Sequence, residues 1–356
     1  MRIDTDFYSG KKVLITGHTG FKGTWMSKLL VMSGADVTGY ALKTGNHPNL
    51  FEIADVENEI NSVYGDIRDY DKLRSVFEHV KPDIVIHMAA QPLVCEAYEN
   101  PRHTYDVNVM GTVNVLECIR NCTSVKSFVN VTTDKVYENK EWEWGYRENE
   151  RLNGFDPYSN SKSCSELVTD SYKNSFFADR EIAISTLRAG NVIGGGDFAA
   201  NRIIPDCIRA VEQKKKIIVR NPYSTRPYQH VLEPVTVYLM LAQRQYADRS
   251  IAGAYNVGPD EQDCLATGEL VNLFCTEWER QTGQKVEWEI KSDGGPHEAG
   301  LLKLDCSKLK HVFSWKPRWN IEETMQKIVE WYYINSQNPQ NIVACMKQQI
   351  IDFTRE

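Results

Sequence analysis

Through the first half of the chain, short apolar runs alternate with stretches in which apolar residues recur at helical spacing. The run Val13-Leu14-Ile15-Thr16 leads into closely spaced glycines and then into a helical pattern at Trp25, Leu29, Leu30 and Met32. The same alternation predicts strands at 12–17, 36–41, 60–64, 83–88, 126–132 and 181–187, with helices at 22–33, 70–80, 101–122 and 157–178. Strands separated by helices in this rhythm are the mark of repeated βαβ units, and hence of a parallel sheet covered on both faces. The predicted class is α/β, a doubly wound parallel sheet.

After residue 188 the elements become shorter and are punctuated by Gly194-Gly195-Gly196, Asn221-Pro222 and Gly294-Gly295-Pro296. This divides the chain into a nucleotide-binding unit over 1–188 and a smaller, mainly substrate-holding region over 189–356, built on the carboxyl edge of the sheet where ligands bind in such folds. Helices are expected at 232–248, 267–281 and 321–336. The last segment carries Ile342, Val343, Met346, Ile350 and Ile351 at helical spacing and should dock on its own or a neighbouring subunit.

The 356 residues are enough for a substantial core. A net charge of -7, with Lys214-Lys215-Lys216 as the longest basic run, argues against nucleic acid as a partner. No apolar stretch reaches the length of a membrane span, and the acidic start Met1-Arg2-Ile3-Asp4-Thr5-Asp6 lacks a signal-peptide core, so a cytoplasmic location is expected. Nine scattered cysteines (95, 118, 122, 164, 207, 264, 275, 306 and 345) read as reduced thiols, and Cys118 with Cys122 has no second pair to complete a zinc site; no metal is expected.

The chemistry concentrates in three places. In Gly17-His18-Thr19-Gly20-Phe21-Lys22-Gly23 the turn follows a strand and opens a helix, which aims backbone N–H groups at a pyrophosphate in a Rossmann-like arrangement. Gly17 permits the turn, Gly20 lets a phosphate approach, and Gly23 allows helix to pack on sheet. Tyr158 and Lys162 follow Pro157, which can open a helix, so they lie one turn apart on one face. Lys162 and an oxidised nicotinamide would both favour phenolate, bringing the Tyr158 pKa down towards working pH and making it a base for a sugar hydroxyl. Thr133-Asp134-Lys135 lies just upstream. Asp66, after the third strand, can meet an adenine amino group or cap the next helix. His87-Met88-Ala89-Ala90-Gln91 ends the fourth strand with small residues against which a cofactor can lie.

These motifs, with Asn108-Val109-Met110-Gly111-Thr112, Leu187-Arg188 through Asn191, Tyr255-Asn256-Val257-Gly258 and Asp305-Cys306-Ser307-Lys308, resemble the extended short-chain dehydrogenase/reductase family, and within it the nucleotide-sugar 4,6-dehydratases. Gly20 through Trp25, Trp142-Glu143-Trp144-Gly145-Tyr146-Arg147-Glu148 and Arg226-Pro227-Tyr228-Gln229-His230 look like the branch that dehydrates CDP-glucose. The resemblance implies oxidation at C4, elimination of water across C5 and C6, and return of the stored hydride to C6. It makes Tyr158 the C4 base, with Thr133 bonded to the same oxygen and Lys162 orienting ribose and phenol. Many relatives have Asp-Glu where this chain has Asp134-Lys135, so Asp134 is read as the acid, with a pKa raised by burial, and Lys135 as the C5 base with the opposite shift. A surface ion pair between the two is the alternative.

By the same resemblance, Gly17, Thr19, Gly20, Phe21, Gly23, Asp66, Ile67, Ala89, Ala90, Tyr158 and Lys162 would hold NAD, and Asn191, Arg202 and Arg226 the diphosphate and sugar. Any of these arginines could instead form internal ion pairs. Trp142, Trp144 and Tyr146 would form a loop over the site unless they only pack on one another. The helices at 101–122 and 157–178 would suit the contact of a homodimer or homotetramer. Deoxysugar biosynthesis, such as that feeding lipopolysaccharide O-antigen, is the implied setting. Val37 through Lys43 lacks the acidic residue that usually binds the adenine ribose of NAD, which leaves NADP open, although a cycle that returns its hydride favours NAD. Competing readings are a dTDP-, UDP- or GDP-hexose dehydratase, a UDP-hexose 4-epimerase, which has no need of Asp134 and Lys135, and a catalytically silent dinucleotide sensor. Inverting UDP-N-acetylhexosamine dehydratases also carry Asp-Lys but generally lack the tyrosine, which Tyr158 contradicts.

Overall fold

The computed structural model describes residues 3–45, 48–291 and 300–355, so the Gly294-Gly295-Pro296 turn lies outside the described residues. Seven parallel strands form the central sheet: β1 (Lys12–Thr16), β2 (Asp36–Ala41), β3 (Asn61–Tyr64), β4 (Ile84–His87), β5 (Ser127–Val131), β6 (Ala183–Ala189) and β7 (Ala254–Val257). Their spatial order is 3-2-1-4-5-6-7, reversing direction of growth between β1 and β4. That reversal opens a crevice at the carboxyl ends of the strands, where ligands sit in such sheets. The predicted α/β doubly wound class and its first six strands match what is observed.

Helices cover both faces of the central strands, and every residue of β4, β5 and β6 is buried, the polar ones included. One core cluster, on the face that includes Trp25, Val235, Leu239, Ile328 and Trp331, joins residues from both halves of the chain. A smaller one on the other face contains Leu14, Phe77, Leu116 and Phe128. β7 comes from the second half and pairs with β6, so residues beyond 188 complete the same sheet. The C-terminal stretch docks on its own subunit: Ile342, Met346, Ile350 and Phe353 of the helix Ile342–Arg355 are buried in the first cluster. Among the described residues no helix is long and apolar enough to cross a membrane.

The expected helix over 101–122 is interrupted. It runs as Pro101–Tyr105, a π-helical segment Asp106–Met110, and Gly111–Arg120. The asparagine of that segment is a structural tie. Asn108 Oδ1 accepts the Gln91 N–H at 2.9 Å, while its Nδ2 donates to the Gln91 carbonyl at 3.1 Å and to Ser161 Oγ at 2.9 Å. A π-bulge widens the turn at one point, and here it joins the exit of β4 to the helix Pro157–Phe176 that carries Tyr158.

Candidate active site

β1 delivers the chain into the glycine turn. Gly17 has φ +81, and a Cβ there would come within 2.8 Å of the Ala89 nitrogen. At Gly23 an added Cβ would lie 2.2 Å from the Gly17 carbonyl oxygen. Turn, first helix (Phe21–Met32) and β4 exit therefore pack backbone on backbone, as only glycine allows. Gly20 differs. An added Cβ would meet only the Gly17 oxygen, at an ordinary 3.4 Å, so protein packing does not demand glycine there. As N-cap it has no side chain with which to occupy the first helical N–H groups. The cradle fits a pyrophosphate, the anion that a helix N-terminus favours.

The exit of β4 is fixed by Thr16, whose hydroxyl meets His87 Nδ1 at 2.7 Å and accepts the Met88 and Ala89 N–H groups at 3.2 Å each. Burial, with Lys162 nearby, lowers the His87 pKa to about 3, so the imidazole is neutral. At the far end of the crevice Asp66 is bound by Arg68, which donates from its backbone N–H at 2.9 Å and its Nη2 at 2.6 Å and holds the carboxyl below its ordinary value. The helix-capping alternative falls to Asp69, which accepts the Lys72 N–H. Neighbouring Ile67 is buried, with Cγ2 against Gly111. Thr19 donates to the Leu42 carbonyl at 3.1 Å, joining the turn to the end of β2.

Past β5 the chain forms a short 3-10 turn, Asp134–Val136. Thr133 Oγ1 donates to Asp134 Oδ1 at 2.9 Å and is also hydrogen-bonded to the Tyr158 phenol. Asp134 is 1% exposed, its Oδ2 has no partner among the described residues, and it forms no ion pair with Lys135 or any other described residue. A Cβ on Gly190 would lie 1.9 Å from that Oδ2, so the residue just after β6 is glycine where the carboxylate needs the room. Lys135 is half-buried.

The Tyr158 phenol is pushed up to about 12 by burial, partly offset by the Thr133 hydrogen bond and by Arg202. The protein's own groups thus do not bring about the downward shift expected from the Tyr/Lys spacing. Lys162 lies one turn on, but its Nζ donates to the Val131 carbonyl at 3.2 Å, and burial lowers its own pKa to about 8 against the opposing pull of Glu166. Any lowering of Tyr158 must come from what binds in the crevice.

Beneath these residues lies a network that sequence reasoning overlooked. Glu166, one turn after Lys162, accepts from Thr132 Oγ1 at 2.5 Å, Thr186 Oγ1 at 2.6 Å and Arg188 at 3.1 and 2.9 Å. Arg188 also donates to Tyr137 Oη at 2.8 Å and to the Glu148 carbonyl at 2.9 Å. The only sequence sign was two charges at positions otherwise reading as core.

Of the expected substrate residues, Arg202 is paired with Asp197 at 3.0 Å while still bearing electrostatically on Tyr158. Arg226, 7% exposed, donates to the carbonyls of Thr225 and Gly300. Asn191 has φ +45, and its carbonyl accepts the Gln229 N–H at 3.3 Å. In the aromatic loop, Tyr146 stacks on Tyr137 and Trp142 in a small cluster, and Trp144 meets the edge of Trp142 while staying 66% exposed. All nine cysteines are free, and no His/Cys/Asp/Glu group suited to a metal occurs among the described residues.

The model of the GDP-mannose 4,6 dehydratase family matches residues 14–328. The chain is 47% identical to the CDP-glucose 4,6-dehydratase of Salmonella typhimurium (strain LT2), over 99% of this chain and 98% of that one. Its fold is similar to that of an epimerase from Methanothermobacter thermautotrophicus (TM-score 0.78, 21% identity, 95% of this chain and 96% of that one). It is also similar to that of the dTDP-glucose 4,6-dehydratase of Bacillus anthracis in complex with NAD (TM-score 0.75, 22% identity, 92% and 98% covered). Matched along most of its length, and bearing the glycine cradle and the cluster of buried Thr133 and Asp134 with half-buried Tyr158, the chain belongs to the GDP-mannose 4,6-dehydratase family of nucleotide-sugar dehydratases.

Proposed function

We propose that the protein is an NAD-dependent CDP-glucose 4,6-dehydratase, converting CDP-D-glucose to CDP-4-dehydro-6-deoxy-D-glucose. The reading is supported by the likeness to the Salmonella enzyme and carried by one observation: Asp134 is a buried carboxyl group with one oxygen without a hydrogen-bond partner and no ion pair among the described residues. A C4 epimerase needs only a base and a way to store hydride. Elimination additionally needs an acid for the C6 hydroxyl.

NAD would lie along Gly17, Thr19, Gly20, Phe21 and Gly23, reach Asp66 and Ile67 with its adenine, and rest on Ala89 and Ala90 near Tyr158 and Lys162. The chemistry supplied by bound NAD is reversible storage of a hydride between C4 and C6. Tyr158 removes the C4 hydroxyl proton, and Thr133 orients the oxygen. With C4 a ketone the C5 proton becomes acidic, Lys135 removes it, Asp134 protonates the departing C6 hydroxyl, and Lys135 returns a proton to C5 as the stored hydride is delivered to C6. Over one cycle Tyr158 gains a proton and Asp134 loses one; the Thr133 hydroxyl, bonded to both, connects them. Asn191, Arg202 and Arg226 would hold the diphosphate and sugar, the guanidinium groups by bidentate bonding.

A cytoplasmic homodimer or homotetramer fits the exposed Met110, Leu167 and Phe176, which lie on the helices expected at the subunit contact. The deciding experiment offers CDP-, dTDP-, UDP- and GDP-hexoses separately, each deuterated at C4. Migration of label to C6 with CDP-glucose is expected; label kept at C4 in an inverted sugar would make the protein an epimerase.

A further inference from the structure

Lys22 has no part in the mechanism above, yet it projects into the same centre. It is the second residue of the first helix, where a cation faces the positive end of the helix dipole, so its charge does nothing for the stability of that helix. Its Nζ lies 5.8 Å from the centroid of the Tyr238 ring. Tyr238 is fully buried on the helix Leu232–Ala247, its phenol has no hydrogen-bond partner among the described residues, and Tyr158 and Asp134 bear on it electrostatically. The charged groups facing Lys22 come from three other elements: Lys162 from the helix of Tyr158, Arg202 from the segment before Ile203–Glu212, and Asp134 after β5. Only Asp134 is negative.

We propose that Lys22 is a positioning residue of the dehydration centre, its ammonium acting as the cationic partner of Asp134 while the C6 hydroxyl is expelled. The inference rests on the dehydratase reading. In that step the Asp134 O–H bond breaks, its proton goes to the C6 oxygen, the C6–O bond breaks and water leaves, with no net oxidation. Asp134 is left as a carboxylate in a site with almost no water, and it has no ion pair among the described residues to receive the charge. Lys22 meets that need without taking up or giving a proton. Burial, together with Lys162 and Arg202 and against the pull of Asp134, lowers the Lys22 pKa to about 7, so its charge is lost as pH rises through neutrality.

The test uses the full chain loaded with NAD, in the Lys22→Met, Lys22→Gln and Lys22→Arg forms, with CDP-glucose deuterated at C4. Single-turnover NADH absorbance reports C4 oxidation, D₂O exchange reports C5 deprotonation, and formation of the 6-deoxy product reports loss of water. Oxidation and exchange are expected to persist in the Met and Gln variants while product formation falls by roughly 10²-fold, the low end for a displaced acid. Arg should restore most of it. The wild-type product rate should fall above about pH 7, a limb absent from Lys22→Met. The proposal is overturned if all three partial reactions fall together in folded Met and Gln variants, if none falls, or if the only change is weaker NAD binding with full product formation at saturation. Failure of the wild-type protein to oxidise or dehydrate any nucleotide hexose overturns the dehydratase reading itself, and is told apart because it appears before any substitution.

Discussion

Replacing Arg188 with Met should destabilise the protein more than any surface change, because it strands a charge. The guanidinium meets Glu166 at 2.9 and 3.1 Å, and the side chains are 4% and 3% exposed. Removing one partner of such a buried pair typically costs about 3–5 kcal/mol, because the remaining carboxylate has neither water nor a counter-charge. Two hydroxyl donors, Thr132 and Thr186, still bond Glu166 and keep the loss towards the lower figure. Adding Glu166→Leu removes the stranded charge but leaves those two hydroxyls without their acceptor, at about 1–3 kcal/mol each. The double variant should therefore lose less stability than the sum of the two single losses, by about 2 kcal/mol or more. Urea unfolding of wild type, both singles and the double at one neutral pH measures this directly. Additivity within about 0.5 kcal/mol would mean that two separate packing sites, and not a buried pair, support this end of the sheet. Turnover should fall in Arg188→Met even where the protein is folded, since Thr132 precedes Thr133.

Three further outcomes are expected. Glu233 accepts the Arg318 and Trp319 N–H groups, and burial raises its pKa to about 7 from an ordinary 4.5, so the fold binds its proton more tightly than the unfolded chain does. Stability from this group is full below about pH 4.5 and is lost as pH rises to about 7, a change of roughly 3 kcal/mol that Glu233→Gln should remove from a pH series of unfolding midpoints. Lys135→Ala should keep C4 oxidation in single turnover and lose C5 exchange with D₂O by about 10² or more; unchanged exchange would remove Lys135 from the chemistry. Gly23→Ala forces a Cβ to within 2.2 Å of the Gly17 oxygen, so NAD affinity measured by calorimetry should drop even if the circular dichroism spectrum is kept.

The layout of the first half is written in local pattern. Strands such as Ile84–His87 and Ser127–Val131 are buried on both faces, which makes them short, mainly apolar runs that stand out against amphipathic helices. The glycine turn was legible because backbone contacts as close as that of Gly23 on Gly17 tolerate no other residue. Thr133, Asp134, Tyr158 and Lys162 lie within two short motifs, and a motif is a local signal.

Folding alone settled whatever depends on partners far apart along the chain. Nothing local announces that Glu166 and Arg188 would pair, or that Ala254–Val257 would become the seventh strand of a sheet begun some 240 residues earlier. The π-helical turn at Asn108 has no periodicity of its own and exists because Gln91 and Ser161 claim one side chain. The Tyr158 pKa follows the same rule: spacing placed a lysine one turn away, but its ammonium turns to the Val131 carbonyl and desolvation by the whole fold raises the phenol. Lys22 read as part of a glycine turn until the helix placed it among Asp134, Lys162 and Arg202. Pattern and propensity act between neighbours along the chain, whereas burial and charge depend on everything that folding brings near.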